Sequence, residues 1–152
     1  HIFSPDGGKI AAIATTKFGR WTMAVDDQPW SATFGDFVDE AVFSPDGQHL
    51  ACIGVENKQH RIVIDGKPWA EGYDMAWKPV FSPDSQHVAA KVEKAGKFSI
   101  VVDGKPLKEA FDRVWDPVFS PDSQQIMVRA LEGRGAEAVY TRAVLPVTDI
   151  LG

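Results

Sequence analysis

Apolar residues fall in short runs along this chain, never in the long i, i+3, i+4 stripe of an amphipathic helix. The runs come in pairs: Ile10 to Ala14 with Thr22 to Val25, Leu50 to Val55 with Arg61 to Ile64, Val88 to Val92 with Ser99 to Val102, and Ile126 to Leu131 with Ala136 to Tyr140. Runs this short, bounded by Gly, Pro, Asp and Ser, read as strands. Ahead of each pair stands Phe-Ser-Pro-Asp, beginning at Phe3, Phe43, Phe81 and Phe119, in steps of 40, 38 and 38 residues. A fixed period repeated four times marks a repeat architecture. The chain reads as one domain, 1–152, of repeats at about 3–42, 43–80, 81–118 and 119–152. Each repeat is expected to give four short strands, the last lying beyond the second apolar run.

Turn chemistry supports that reading. After the second run come Asp65-Gly66-Lys67-Pro68 and Asp103-Gly104-Lys105-Pro106, with Asp26-Asp27-Gln28-Pro29 as a looser version. Asp-Gly between β-rich runs signals a two-residue type I′ hairpin, where both central residues need positive φ, so Gly66 and Gly104 are structural. Pro68 and Pro106 cannot donate to a ladder, so the last strand should be an outer edge. In Ser-Pro-Asp the proline suits the second turn position, and Asp6, Asp46, Asp84 and Asp122 are placed to cap nearby amides. Phe81 and Phe119 are expected in the core. Ala12, Cys52, Ala90 and Val128 share one repeat position, as expected where neighbouring sheets approach closely.

Phe-Ser-Pro-Asp-Gly/Ser followed by an apolar strand resembles the WD-like repeat of TolB and tricorn-type β-propellers, over essentially the whole chain. The phrase Asp65-Gly66-Lys67-Pro68-Trp69 and the five tryptophans resemble, more narrowly, propeller subunits of transmembrane electron-transfer complexes of sulfate-reducing bacteria. The resemblance implies an all-β propeller of four-stranded blades. The narrower one implies an accessory subunit with no redox centre of its own, beside haem and iron–sulfur subunits.

One thin sheet cannot bury both faces alone, and radial stacking on like sheets is the usual solution. The first copy lacks most of the run before Phe3, and the fourth has Thr141-Arg142-Ala143-Val144 in place of the Asp-Gly turn. Such ends fit a ring in which residues near Ile2 complete the last sheet, and they fit a piece of a longer array. Four repeats give either a closed four-blade ring or an open half that pairs with a second copy into eight blades. The tight wedge of a four-fold ring leaves little room for blades this small, which favours the homodimer.

The net charge of −5, from 16 Lys and Arg against 21 Asp and Glu, argues against a nucleic-acid or anionic-membrane surface. No run approaches the ~20 apolar residues of a membrane span, so no direct membrane insertion is expected. The chain opens on His1-Ile2-Phe3 without a visible targeting signal, and a cytoplasmic setting is expected over a periplasmic one. One cysteine, Cys52, makes no internal disulfide and holds neither haem nor a cluster; a buried packing role is expected.

No catalytic, metal or cofactor site is expected. The motif serines (Ser4, Ser44, Ser82, Ser120) lack a nucleophile-elbow context. Asp36, Asp74 and Asp112, each seven residues before a motif Phe, are expected to bond neighbouring backbone. His49 and His87 sit at equivalent positions of different repeats and should diverge rather than share a metal. Trp77 and Trp115, four residues before the motif Phe, are candidates either for a docking surface at the central channel or for packing between blades. Trp30 and Trp69, just after the hairpin, are candidates for an outer interface. The expected function is a non-catalytic protein–protein interaction module of a larger complex. A regulatory or substrate-guiding propeller of a hydrolase and a small-ligand or glycan binder are the alternatives.

Overall fold

A computed structural model describes residues 1–152, folded into four antiparallel sheets in sequence order. The first holds β1 (Ile2–Phe3), β2 (Ile10–Lys17), β3 (Arg20–Val25) and β4 (Gln28–Pro29); the second holds β5 (Phe37–Phe43), β6 (Leu50–Glu56), β7 (Gln59–Ile64) and β8 (Lys67–Pro68). The third holds β9 (Met75–Ala76), β10 (Val80–Phe81), β11 (Val88–Lys94), β12 (Lys97–Val102) and β13 (Lys105–Pro106). In the fourth, β14 (Arg113–Val114) and β15 (Val118–Phe119) pair with β16 (Gln125–Glu132), and β17 (Val139–Pro146) covers its other edge. A helix, α1 (Val147–Leu151), ends the chain.

Local sequence explains each sheet. The Asp-Gly turns are type I′, with Asp65 at φ 48° and Gly66 at 78°, and Asp103 at 48° and Gly104 at 81°. Each reverses the chain so that β8 and β13 pair on the outside through two residues only. The prolines there sit on edges, where a missing N–H is harmless. The first strand of the third and fourth sheets splits in two at Pro79 and Pro117, while Ala41 at the same position leaves β5 continuous, with a register shift between Asp39 and Val42.

Successive sheets pack face to face, and three apolar clusters mark the contacts. Leu50, Cys52 and Val63 point back to the first sheet; Ile53, Val55 and Ile62 point on to the third. That is why every residue from Leu50 to Val55 is buried, a continuous apolar run where a one-sided strand would alternate. Cys52 is 1% exposed, in the packing role expected of it.

Three expectations need correction. Ile2 and Phe3 pair with Ala11 and Ile10 of their own sheet, so the start of the chain does not complete the last one. Phe81, expected in the core, is only half-buried; Phe3 is 63% exposed, against 8% for Phe43 and Phe119, because the motif Phe points back to a preceding sheet and within residues 1–152 no sheet lies behind the first. In the fourth repeat the second run is not Ala136–Tyr140: a 3-10 turn takes Gly135–Glu137 and the strand runs Val139–Pro146. Without Asp-Gly the chain makes no outer hairpin there, and Pro146 passes directly into α1.

Candidate functional site

The Phe-Ser-Pro-Asp turns are closed hydrogen-bonded units. In each, the Ser hydroxyl donates to the Asp carboxylate two residues on, at 2.5–2.6 Å for Ser4, Ser44, Ser82 and Ser120. The same carboxylate oxygen accepts the amide of Gly8, Gln48, Gln86 or Gln124. These two bonds hold all four carboxyls below the usual aspartate range, the Ser hydroxyl contributing most. The fourth turn residue has positive φ, at Gly7, Gly47, Ser85 and Ser123. Where it is Ser it joins two sheets: the Asp46 amide donates to Ser85 Oγ at 3.1 Å and the Asp84 amide to Ser123 Oγ at 3.0 Å. The motif serines are thus committed to their own aspartates.

The other carboxylates are spent locally. Asp36, Asp74 and Asp112 accept the amides of Lys58, Ala95 and Gly133 at the hairpin of their own sheet. Asp65 and Asp103 each take a backbone amide with one oxygen and the imidazole Nδ1 of His49 or His87 with the other, both at 2.7 Å. The two histidines therefore sit in separate sheets with separate partners, and nowhere do three His, Cys, Asp or Glu side chains converge. Burial pushes the Cys52 thiol up to about 12, so the thiolate is not populated near neutrality.

The tryptophans divide into two kinds. Trp30 and Trp69 are half-buried against the next sheet: a Cβ on Gly66 would lie 3.0 Å from Trp30 Cγ, and one on Gly104 would lie 3.8 Å from Trp69 Cγ. Each indole staples one outer edge to the next hairpin. Trp77 packs on Phe98 at 5.8 Å with the Lys91 ammonium 4.7 Å from its ring, and Lys91 reaches on to Asp116 of the fourth sheet at 3.0 Å. Trp115 takes the same place in the fourth sheet and meets Tyr140 edge-on at 5.8 Å.

Within residues 1–152 no sheet lies against the outer face of the fourth. Val118 is 45% exposed, Tyr140 56% and Val144 53%. At the other end the first sheet leaves Phe3 63% and Ile10 37% exposed, where the equivalent Leu50, Val88 and Ile126 are at 5% or less. The run Ala136–Tyr140 legible in the sequence stops short of Val144, and the local pattern carries no signal that Tyr140 lacks a sheet against it.

A cavity of about 270 Å³ lies between the outer edge of the third sheet and the fourth sheet with α1. Its signal in the sequence was the loss of two repeat features together, Trp at Leu107 and Asp-Gly after β17.

No family model matches the chain, and no curated protein does. Among solved structures, a putative TolB from Agrobacterium tumefaciens superposes with a TM-score of 0.54 at 17% identity, over 95% of this chain and 60% of that one. TolB from Acinetobacter baumannii gives 0.54 at 17% identity, over 96% of this chain and 40% of that one. A putative 6-phosphogluconolactonase from Bacteroides uniformis reaches only 0.34 at 17% identity, over 89% of this chain and 56% of that one, too low to argue from. The chain spans less than two thirds of either TolB, and at this identity the likeness speaks to architecture alone. Four-stranded antiparallel sheets packed face to face in sequence order, superposing on both, make this an all-β protein with the fold of the TolB-like β-propellers.

Proposed function

We propose that the chain is a non-catalytic protein-interaction module that binds through the outward face of its fourth sheet. One observation carries this reading. Val118, Tyr140 and Val144 stand open around Trp115, while the same face of the first three sheets is covered by the next sheet. On this face Arg142 stands between Tyr140 and Val144, opposite Arg129, and exposed apolar side chains around an aromatic centre, with arginines among them, fit a protein partner. The partner whose shape is already matched is another sheet of this repeat. A second copy supplies one in its first sheet, whose open face carries Phe3 and Ile10. Two copies joined head to tail at both ends would close a ring of eight sheets.

Within a larger assembly the module would act as an accessory subunit, as its likeness in the Asp65-Gly66-Lys67-Pro68-Trp69 phrase to the TmcD propeller subunit of a transmembrane electron-transfer complex suggests. A role without a redox centre of its own agrees with a lone buried cysteine.

Light scattering on the purified chain tests the reading. The expected mass is twice that of the monomer, falling to the monomer in Tyr140→Asp or Val144→Asp with circular dichroism unchanged. A monomer at micromolar concentration removes the second copy as partner. A Tyr140→Asp chain that still binds every partner of the wild type removes this face as the site.

A further inference from the structure

The three sheet–sheet contacts are not filled alike at their outer edges. At the first, the Trp30 indole lies over Gly66; at the second, the Trp69 indole lies over Gly104. At the third, Leu107 stands where the tryptophan would be. Two further contractions coincide with it. Ala143, opposite Val128, takes the place that Val63 holds opposite Cys52 and Val101 opposite Ala90. The Asp-Gly hairpin on which the indole would rest is gone, and the chain turns into α1 instead.

Where these three side-chain features are lost, a half-open cavity of about 270 Å³ stands at the contact. Its wall is largely apolar, formed by Leu107, Phe111, Val128, Ala143, Leu145 and Ile150. Thr141, Glu109 and Asp149 also line it and carry oxygen acceptors, together with Lys108. We infer that this cavity is a binding site for an uncharged planar aromatic ring of indole size, occupying the third contact as Trp30 and Trp69 occupy the first two.

Size supports the class. An apolar cavity of roughly 150 Å³ takes benzene, and pockets for drug-sized ligands begin near ~300 Å³. The volume here lies between them, which suits two fused rings. The polar lining narrows it further: an indole N–H has acceptors to meet at Thr141, Glu109 and Asp149, whereas a ring bearing a carboxylate would face two like charges against one lysine. The chemistry is shared by a free indole-type compound and by a tryptophan side chain on a partner.

Fluorine NMR of 5-fluoroindole titrated with the full chain tests the inference. Saturable line broadening is expected, reversed by unlabelled indole and at least tenfold less readily by indole-3-acetate. Displacement by N-acetyl-tryptophanamide as well would assign the site to a tryptophan side chain; displacement by indole alone would assign it to a free ring. Leu107→Trp should fill the space from inside, weaken binding at least tenfold and raise the unfolding temperature. Ala143→Leu, which narrows the cavity from the opposite wall, serves as the second blocking variant. The inference is overturned by the absence of saturable broadening, or by broadening that persists in folded Leu107→Trp and Ala143→Leu chains. Because the cavity and the open face of the fourth sheet share no residue, each outcome is separate from that of the oligomer measurement.

Discussion

A single carbon separates a glycine that is convenient from one that is required. At Gly54 a Cβ would overlap the Phe34 ring, which crosses from the first sheet to lie flat on the second. Gly54→Ala is therefore expected to lose about 1–3 kcal/mol in chemical denaturation, as overpacked cores do, and Phe34→Leu in the same chain should restore part of it. The motif phenylalanines make the converse point, since one residue in one local grammar has different worth at different places. Phe119→Ala should lose about 3–5 kcal/mol as a buried aromatic truncation. Phe3→Ala, at 63% exposure, should lose less than about 1 kcal/mol by the same denaturation measurement. Sequence placed both in identical motifs, and nothing within the motif distinguishes them.

At the scale of the element, the turns are where sequence and structure agree most closely. Four Ser-Pro-Asp turns share one bonding pattern because everything they need lies within six residues of chain. Their acid response follows. A carboxyl whose folded pKa lies below its unfolded value stabilises the fold above the unfolded pKa, and that contribution is lost as pH falls through the folded value. Asp6, Asp46, Asp84 and Asp122 are of this kind through their Ser hydroxyl bonds, and Asp112 through Lys97 first and the Gly133 amide second. Stability should thus be level in this respect above about pH 5 and fall progressively below about pH 4. Urea unfolding across that range checks it, and Asp46→Asn with Asp84→Asn should flatten the acid limb. The last strand resisted sequence reading at the same scale. With no Asp-Gly to stop it, β17 runs on to Pro146, and a turn in Gly135–Glu137 replaces the strand start expected there.

For the whole molecule, what matters is how many neighbours each sheet has. β6 and β11 lie in sheets covered on both faces, whereas the first sheet has only one neighbour and β17 is mostly exposed along its length. Amide hydrogen exchange should therefore be slowest in β6, β7, β11 and β12 and markedly faster in β2 and β17; equal protection in all four sheets would contradict this account. A dimer closed through the outer sheets would slow exchange in β2 and β17 as concentration rises, tying this measurement to the mass in solution. The sequence by itself determined the repeat, the strand order within each sheet, the type I′ hairpins and the capped turns, because these depend on contacts between residues near one another in the chain. It also indicated the close-packed position of Cys52, since Ala12, Cys52, Ala90 and Val128 share one place in the repeat. Only the tertiary structure decided that Phe3 lies open, that Trp30 and Trp69 are staples and Trp115 is not, and that a cavity stands beside Leu107. Each of those depends on whether another sheet lies against a given face, and that is a property of neighbours distant in sequence, about which the local pattern carries no information.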